Sequence, residues 1–519
     1  MKSRNASEVC ANSWRFRFSR VVTLVAAMSL WMCTSALPND ALAQDGTSSD
    51  ANSASGGTTS TGTGTGEAAP TPQTDEWTET SPPAAESPAS QAAANATTSD
   101  SSSASESTDE TSSSRMVRKQ SKPKPHNRRV HPILLEERSA ADELPLPWSQ
   151  WQHLTGDWGG ARSFLADHGV LFEVVYTGEF FTAANGGDSS MPPRLSGLGN
   201  IDVTLTLDTK GLGWWDGGTF FAYFENLHGN GNNINDAAGG VLNTLSSLDA
   251  PAFTQMSAYY FQQVLFDGIW RLKAGKHDAN SEFVASDITG EFINSTISSP
   301  VNILYPTFPD PGLGFLTEVD PTSWMAILAA VYGAELDGRS FRDQGLFSGN
   351  LLAIFELDLT AAFLDRYAGT YRFGGWYSTL ATPAVVGNDT FDNNYGWYLL
   401  FDQPLYLEKS ASDSSGQGLN SYFEYSWTPN DRNQVATVLT AGVMYTGAIP
   451  KRDADELAFA FVVSDIAGPG FGNETILEWF YKFFPTPWLA IQPDVQYVIN
   501  AGGNGPNAVV IGTRGALTF

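Results

Sequence analysis

The sequence predicts an all-β fold: a transmembrane antiparallel β-barrel of about sixteen strands, preceded by a disordered N-terminal segment. Three observations predict it. From His168 to Phe519, short amphipathic segments with a two-residue period recur between turns and glycine-rich loops. The apolar parity of these segments is heavy in Trp, Tyr and Phe, which suits a lipid-facing wall with aromatic girdles better than the aliphatic core of a soluble sandwich. The apolar run Val21 to Leu30 falls short of the ~20 residues of a spanning helix, and no later run reaches that length without charges or breakers.

The front of the chain reads as removable. Lys2, Arg4, Arg15, Arg17 and Arg20 precede the apolar run, and Ala41-Leu42-Ala43 offers a small-residue cleavage site, so residues 1–44 are expected to be a signal peptide. Both cysteines, Cys10 and Cys33, lie in this leader, leaving the exported chain without a disulfide. Trp31 and Met32 fit poorly before a lipidated Cys33. Residues 45–147 form a linker. Its Ser/Thr/Ala-rich part, to residue 114, has too few bulky apolar side chains to offset the entropy of ordering. The basic stretch 115–129, with Arg118, Lys119, Lys122, Lys124 and Arg128 among prolines, reads as solvated linker ahead of contact with an anionic envelope polymer. Export sets nucleic acid aside as a partner.

Residues 148–519 hold the barrel. The second strand is the cleanest, with Ile201, Val203, Leu205 and Leu207 alternating with Asp202, Thr204, Thr206 and Asp208. The others begin near Gly169, Thr219, Ser257, Arg271, Leu313, Met325, Leu351, Thr370, Tyr395, Leu419, Val435, Glu456, Glu474, Leu489 and Asn507. In the last three, Leu477, Trp479, Tyr481, Val495 and Tyr497 share the apolar parity, opposite Glu474, Glu478, Lys482, Gln492, Asp494 and Gln496, so one face is expected to be wet. Tight connections at Asp267-Gly268, Asp320 to Ser323 and Pro485 to Trp488 alternate with long ones at 182–196, 226–256, 278–312 and 333–348; the alternation is least secure at 402–418. Closure is favoured because an open sheet would leave edge backbone groups unpaired in lipid.

Three stretches resemble the carbohydrate-selective porins of the OprB type. They are Leu154-Thr-Gly-Asp-Trp-Gly-Gly-Ala-Arg162, Arg271-Leu-Lys-Ala-Gly-Lys-His-Asp278 with Phe292-Ile-Asn-Ser295, and Ile491-Gln-Pro-Asp-Val-Gln-Tyr-Val-Ile-Asn500 with the terminal Phe519; Gly447 to Asp455 is a shorter fourth. The resemblance covers residues 148–519. It implies a sixteen-stranded outer-membrane barrel through which mono- and small oligosaccharides diffuse, and it leaves a homotrimer open. It also implies that the loop after Asp278, carrying Glu282, Asp287, Glu291 and Asn294, folds into the pore. The front segment and the acidity, 16 Lys plus Arg against 39 Asp plus Glu from Trp148 onward, depart from the family pattern.

A diffusive pore needs polar groups that replace part of a solute's hydration without holding it. By parity the candidate lumen groups are Arg271, Lys273, Arg372, Glu478, Lys482, Asp494, Gln496 and Arg514, joined by the loop acids. Lys276 falls out of phase with Lys273 and requires a bulge at Gly275 or a place beyond the hydrocarbon zone. No nucleophile elbow, phosphate loop or His/Cys metal spacing occurs, so neither an enzyme nor a cofactor is expected. The alternatives are a cation-leaning general porin without sugar preference and a secreted β-rich sugar-binding protein, which would stay soluble without detergent.

Overall fold

The computed structural model describes residues 147–190, 195–230, 233–335, 341–363, 367–408 and 417–519. The expected signal peptide and almost all of the linker lie outside them. Sixteen antiparallel strands close into one barrel. They are β1 (Val170–Gly186), β2 (Leu195–Asp208), β3 (Gly218–Gly229), β4 (Phe253–Leu265), β5 (Trp270–His277), β6 (Gly312–Thr322), β7 (Met325–Gly333), β8 (Leu351–Phe363) and β9 (Tyr367–Ser378), then β12 (Asn394–Leu407), β13 (Gly418–Trp427), β14 (Val435–Thr446), β15 (Glu456–Ile466), β16 (Asn473–Thr486), β17 (Leu489–Ile499) and β18 (Ala508–Thr518). A separate two-stranded ribbon, β10 (Thr382–Pro383) with β11 (Thr390–Phe391), decorates the loop between β9 and β12. Each strand pairs with its sequence neighbour in the ring, and β1 also pairs with β18, so no edge is left open.

The period-two reading survives closely. In β16 and β17, Glu474, Ile476, Glu478, Phe480, Gln492, Asp494, Gln496 and Val498 are all buried, while the alternate positions carry the outer surface. Outward rings pack in tilted pairs around the wall, as in Trp397 with Tyr425 at 5.4 Å and Phe459 with Trp479 at 5.1 Å. Trp214, Trp215, Phe266 and Trp324 stand exposed beside the turns at the end where β1 starts and β18 finishes, a girdle position.

The inner face departs from expectation. It is not simply wet. Ile476, Phe480, Val498, Val510 and Tyr422 point inward with the carboxylates and join one apolar cluster with Ile234, Leu245, Phe292 and Ile297 of the connections 230–252 and 278–311. These two connections fold into the barrel, so inward apolar residues find partners other than water. The long-short alternation also fades after β12: the loop 428–434 and the loop 467–472 are no longer than the connections 408–417 and 447–455 at the opposite end. The strand count is unaffected at 402–418, because β12 runs on to Leu407 and β13 starts at Gly418.

Lys276 is buried without a bulge in β5. Register runs unbroken through Gly275 against both β4 and β6. Gly275 has φ 141°, a conformation that favours glycine, and beyond it both Lys276 and His277 are buried. The Lys276 ammonium donates to the Met256 carbonyl at 3.2 Å.

The Leu154–Arg162 motif lies across the seam that closes the barrel. Leu154 N donates to the Thr518 carbonyl at 2.8 Å, and the Arg162 guanidinium donates to the terminal Phe519 at 2.6 Å and to the Phe172 carbonyl at 3.2 Å. Phe519 N in turn donates to the Val174 carbonyl at 2.9 Å. Trp148 packs on Trp488 with centroids 4.5 Å apart. Burial first, and Arg162 second, hold the His153 imidazole down at about 4, against the pull of Asp157.

Candidate functional site on a loop pinned to opposite walls

The connection 278–311 leaves β5 and is held at two distant places. Near its start, Glu282 lies between the two cations of β5. It accepts from Arg271 at 2.6 Å and 3.2 Å and forms an ion pair with Lys273. Arg271 also pairs with Glu318 of β6 and donates to Gln262 of β4 at 3.3 Å. The Lys273 ammonium sits 4.1 Å above the Tyr260 ring. The loop acid thus meets these cations by direct contact, with no gap between them.

Farther along, the loop reaches the other wall. Glu291 pairs with Lys482 of β16, whose second acidic neighbour is Glu456 at 3.8 Å. Glu478 accepts from the backbone N–H groups of Ile293 at 2.7 Å and Asn294 at 3.0 Å. The Asn294 amide donates to Gln496 at 3.2 Å, and Gln496 donates to the Leu245 carbonyl at 2.8 Å. Counting around the ring, β5 and β16 are seven strands apart through β1 and nine through β9. In a sixteen-strand ring that is nearly diametric, so the loop crosses the lumen.

The second inward connection, 230–252, is pinned in the same chemical manner. Glu474 accepts from Leu242 N at 3.0 Å and Asn243 N at 2.7 Å. Arg514 of β18 pairs with Glu179 of β1 and donates to Ser247, while Ser246 donates to Glu179. Asp494 lies beside Gln496, accepting from it at 3.1 Å. Arg372 forms its own centre with Asp402 of β12 and with Asp358 of β8 at 3.8 Å. Ser286 of the crossing loop donates to Asp402 at 2.7 Å, which brings the exposed Asp287 to this side.

All eleven candidate residues therefore lie on the inner wall or the crossing loop, but in three centres: Arg271, Lys273 and Glu282; Arg372 with Asp287; and Glu291, Lys482, Glu478, Gln496, Asp494 and Arg514. The sequence reading passed over Glu179, Glu318, Glu356, Asp358 and Asp402, and it put Glu474 on the wet face without naming it a candidate. Parity could have found several. Glu356 and Asp358 alternate with outward Phe355, Leu357 and Leu359, the same signal that picked out Arg372. Glu356 accepts from Val284 N of the loop and from the Tyr398 hydroxyl, both at 2.9 Å.

A family model described as carbohydrate-selective porin, OprB family, matches residues 194–519. Porin B of Pseudomonas aeruginosa is 23% identical over 432 residues, spanning 73% of this chain and 93% of its own length. The high-pH structure of Pseudomonas putida OprB matches with a TM-score of 0.64 at 20% identity, covering 72% of this chain and 100% of that one. The low-pH structure gives a TM-score of 0.50 at 17% identity, covering 71% and 99%. With a match over more than half of its residues and a closed sixteen-strand barrel beneath it, the chain is an outer-membrane barrel that belongs to the carbohydrate-selective porin, OprB family.

Proposed function

We propose that mono- and small oligosaccharides diffuse through this barrel, and that the charged centres along the crossing loop set the preference for them. The observation that carries the reading is the loop itself, tied by Glu282 to Arg271 and Lys273 on one wall and by Glu291 and Glu478 to β16 on the other. A loop held at both ends narrows the lumen at a fixed place.

The chemistry suits a neutral polyol. Each cation at the crossing has a carboxylate in contact, so these centres present hydrogen-bond donors and acceptors with little uncompensated field. A sugar hydroxyl both donates and accepts, and exchanges its water for such groups at small net gain, which lets it leave again. The channel reading also accounts for the architecture better than an enzyme does, since the inward polar groups are spread along the loop in separate centres.

Liposome swelling with a sugar series tests this. Rates are expected to fall with solute size, and a monosaccharide is expected to pass faster than an uncharged solute of equal size lacking ring hydroxyls. Equal rates for the two would refute sugar preference and leave a general porin.

A further inference from the structure

Away from the crossing loop's ion pairs, two carboxylates stand directly opposite each other on neighbouring strands. Asp202 of β2 and Glu225 of β3 are register partners, both inward and both only 4% exposed. Like charges in that position repel. The carboxylates Glu282, Glu318, Glu291, Glu179 and Asp402 each touch a Lys or Arg; among the described residues neither Asp202 nor Glu225 does.

Their surroundings are oxygen-rich and short of positive charge. The Tyr223 hydroxyl donates to Asp202 Oδ1 at 2.5 Å. The Asn200 amide nitrogen lies between the pair, 2.7 Å from Asp202 Oδ1 and 3.4 Å from Glu225 Oε1. Ser257 donates to Glu225, and Gln255 donates to Ser257 at 2.9 Å and to the Pro309 carbonyl of the crossing loop at 2.8 Å. Three buried atoms here have no hydrogen-bond partner: Asp202 Oδ2, Asn200 Oδ1 and Gln255 Oε1. All three are acceptors. Asn200 and Asp202 are 2% and 4% exposed, so bulk water does not satisfy them. A group that is positive, or that donates in several directions, is what these atoms lack.

We propose that Asp202, Glu225, Asn200 and Gln255, with Ser257 beside them, form a calcium site in the barrel wall beneath the last part of the crossing loop. Hard oxygen ligands with two carboxylates suit calcium, which takes six to eight oxygens in flexible geometry, better than magnesium or a thiophilic metal. Rotation of the Asn200 amide would turn its oxygen toward the ion. The bound ion would tie β2, β3 and β4 to the loop through Gln255 and Pro309.

The test uses the full chain in detergent, stripped with a chelator and held at moderate salt to suppress diffuse binding. Terbium, a luminescent calcium mimic, is titrated with tyrosine excitation, since Tyr223 adjoins the site. Saturable luminescence at one ion per barrel, displaced by calcium in preference to magnesium, is expected. Asp202→Asn with Glu225→Gln should weaken it at least tenfold, as should Glu225→Gln alone if the double variant folds poorly. Calcium should also raise the temperature at which the folded gel band is lost in the parent and not in the variants. No saturable signal, or equal binding by a folded variant, overturns the site. An absence of any calcium response in a parent whose stability falls on raising pH would mean a proton shared by the pair, and would overturn it too.

Discussion

Glu282→Gln is the sharpest perturbation of the proposed constriction. One carboxylate serves two buried cations there, with side chains 7% and 6% exposed. Glutamine keeps the shape and removes the charge. Arg271 retains Glu318, while Lys273 loses the carboxylate that holds it. Removing one member of a buried pair costs roughly 3–5 kcal/mol, because the remaining charge is left uncompensated. That loss falls on the contact that holds the loop to β5, so the loop should be less securely held and single-channel current noisier. The charge at the narrowing rises by one. An ion passing at ~4 Å through water-like surroundings feels about 1 kcal/mol from it, roughly a fivefold change in partition at ~1.4 kcal/mol per decade. The parent, with its acidic excess, should prefer cations at low salt, and the preference should fade as salt screens charge over ~10 Å at 0.1 M. Reversal potentials across a planar bilayer should shift toward anions in Glu282→Gln and toward cations in Arg271→Gln with Lys273→Gln. If both folded variants keep the parent's reversal potential, the centre does not line the conducting path.

Deleting Phe519 should lower the yield of heat-modifiable folded barrel far more than deleting a loop tip, since it removes the contacts to Val174 and Arg162 at the seam; equal yields would contradict that. His153 is held neutral at about 4 in the folded chain against 6.5 when unfolded, so the native state binds fewer protons between those values. The seam segment should therefore loosen as pH falls from about 6.5 toward 4, seen as lost hydrogen-exchange protection at 150–160. Unchanged protection, or the same loss in His153→Gln, would rule this out. Removing residues 45–140 should leave conductance and sugar flux unaltered; a change in either would give the linker a role in the pore.

The strands were legible because alternation is a local property. A residue's side of the sheet follows from counting by two, so Glu478, Gln496 and Arg514 could be turned inward, and Trp479 and Tyr497 outward, before any neighbour was known. Turn residues such as Asp267-Gly268 bounded the strands for a similarly local reason, whereas Asp320 and Pro321, expected in a turn, lie inside β6. The tertiary structure alone decided what the inward faces meet. Ile476 and Phe480 share a face with Glu478, and only the arrival of Phe292 and Ile293 from almost two hundred residues away makes that face dry. The contacts of Glu291 with Lys482 and of Glu474 with Asn243 likewise span 191 and 231 positions. Such contacts depend on closure of the ring and on the path of two loops through it, and neither leaves a period in the sequence to count.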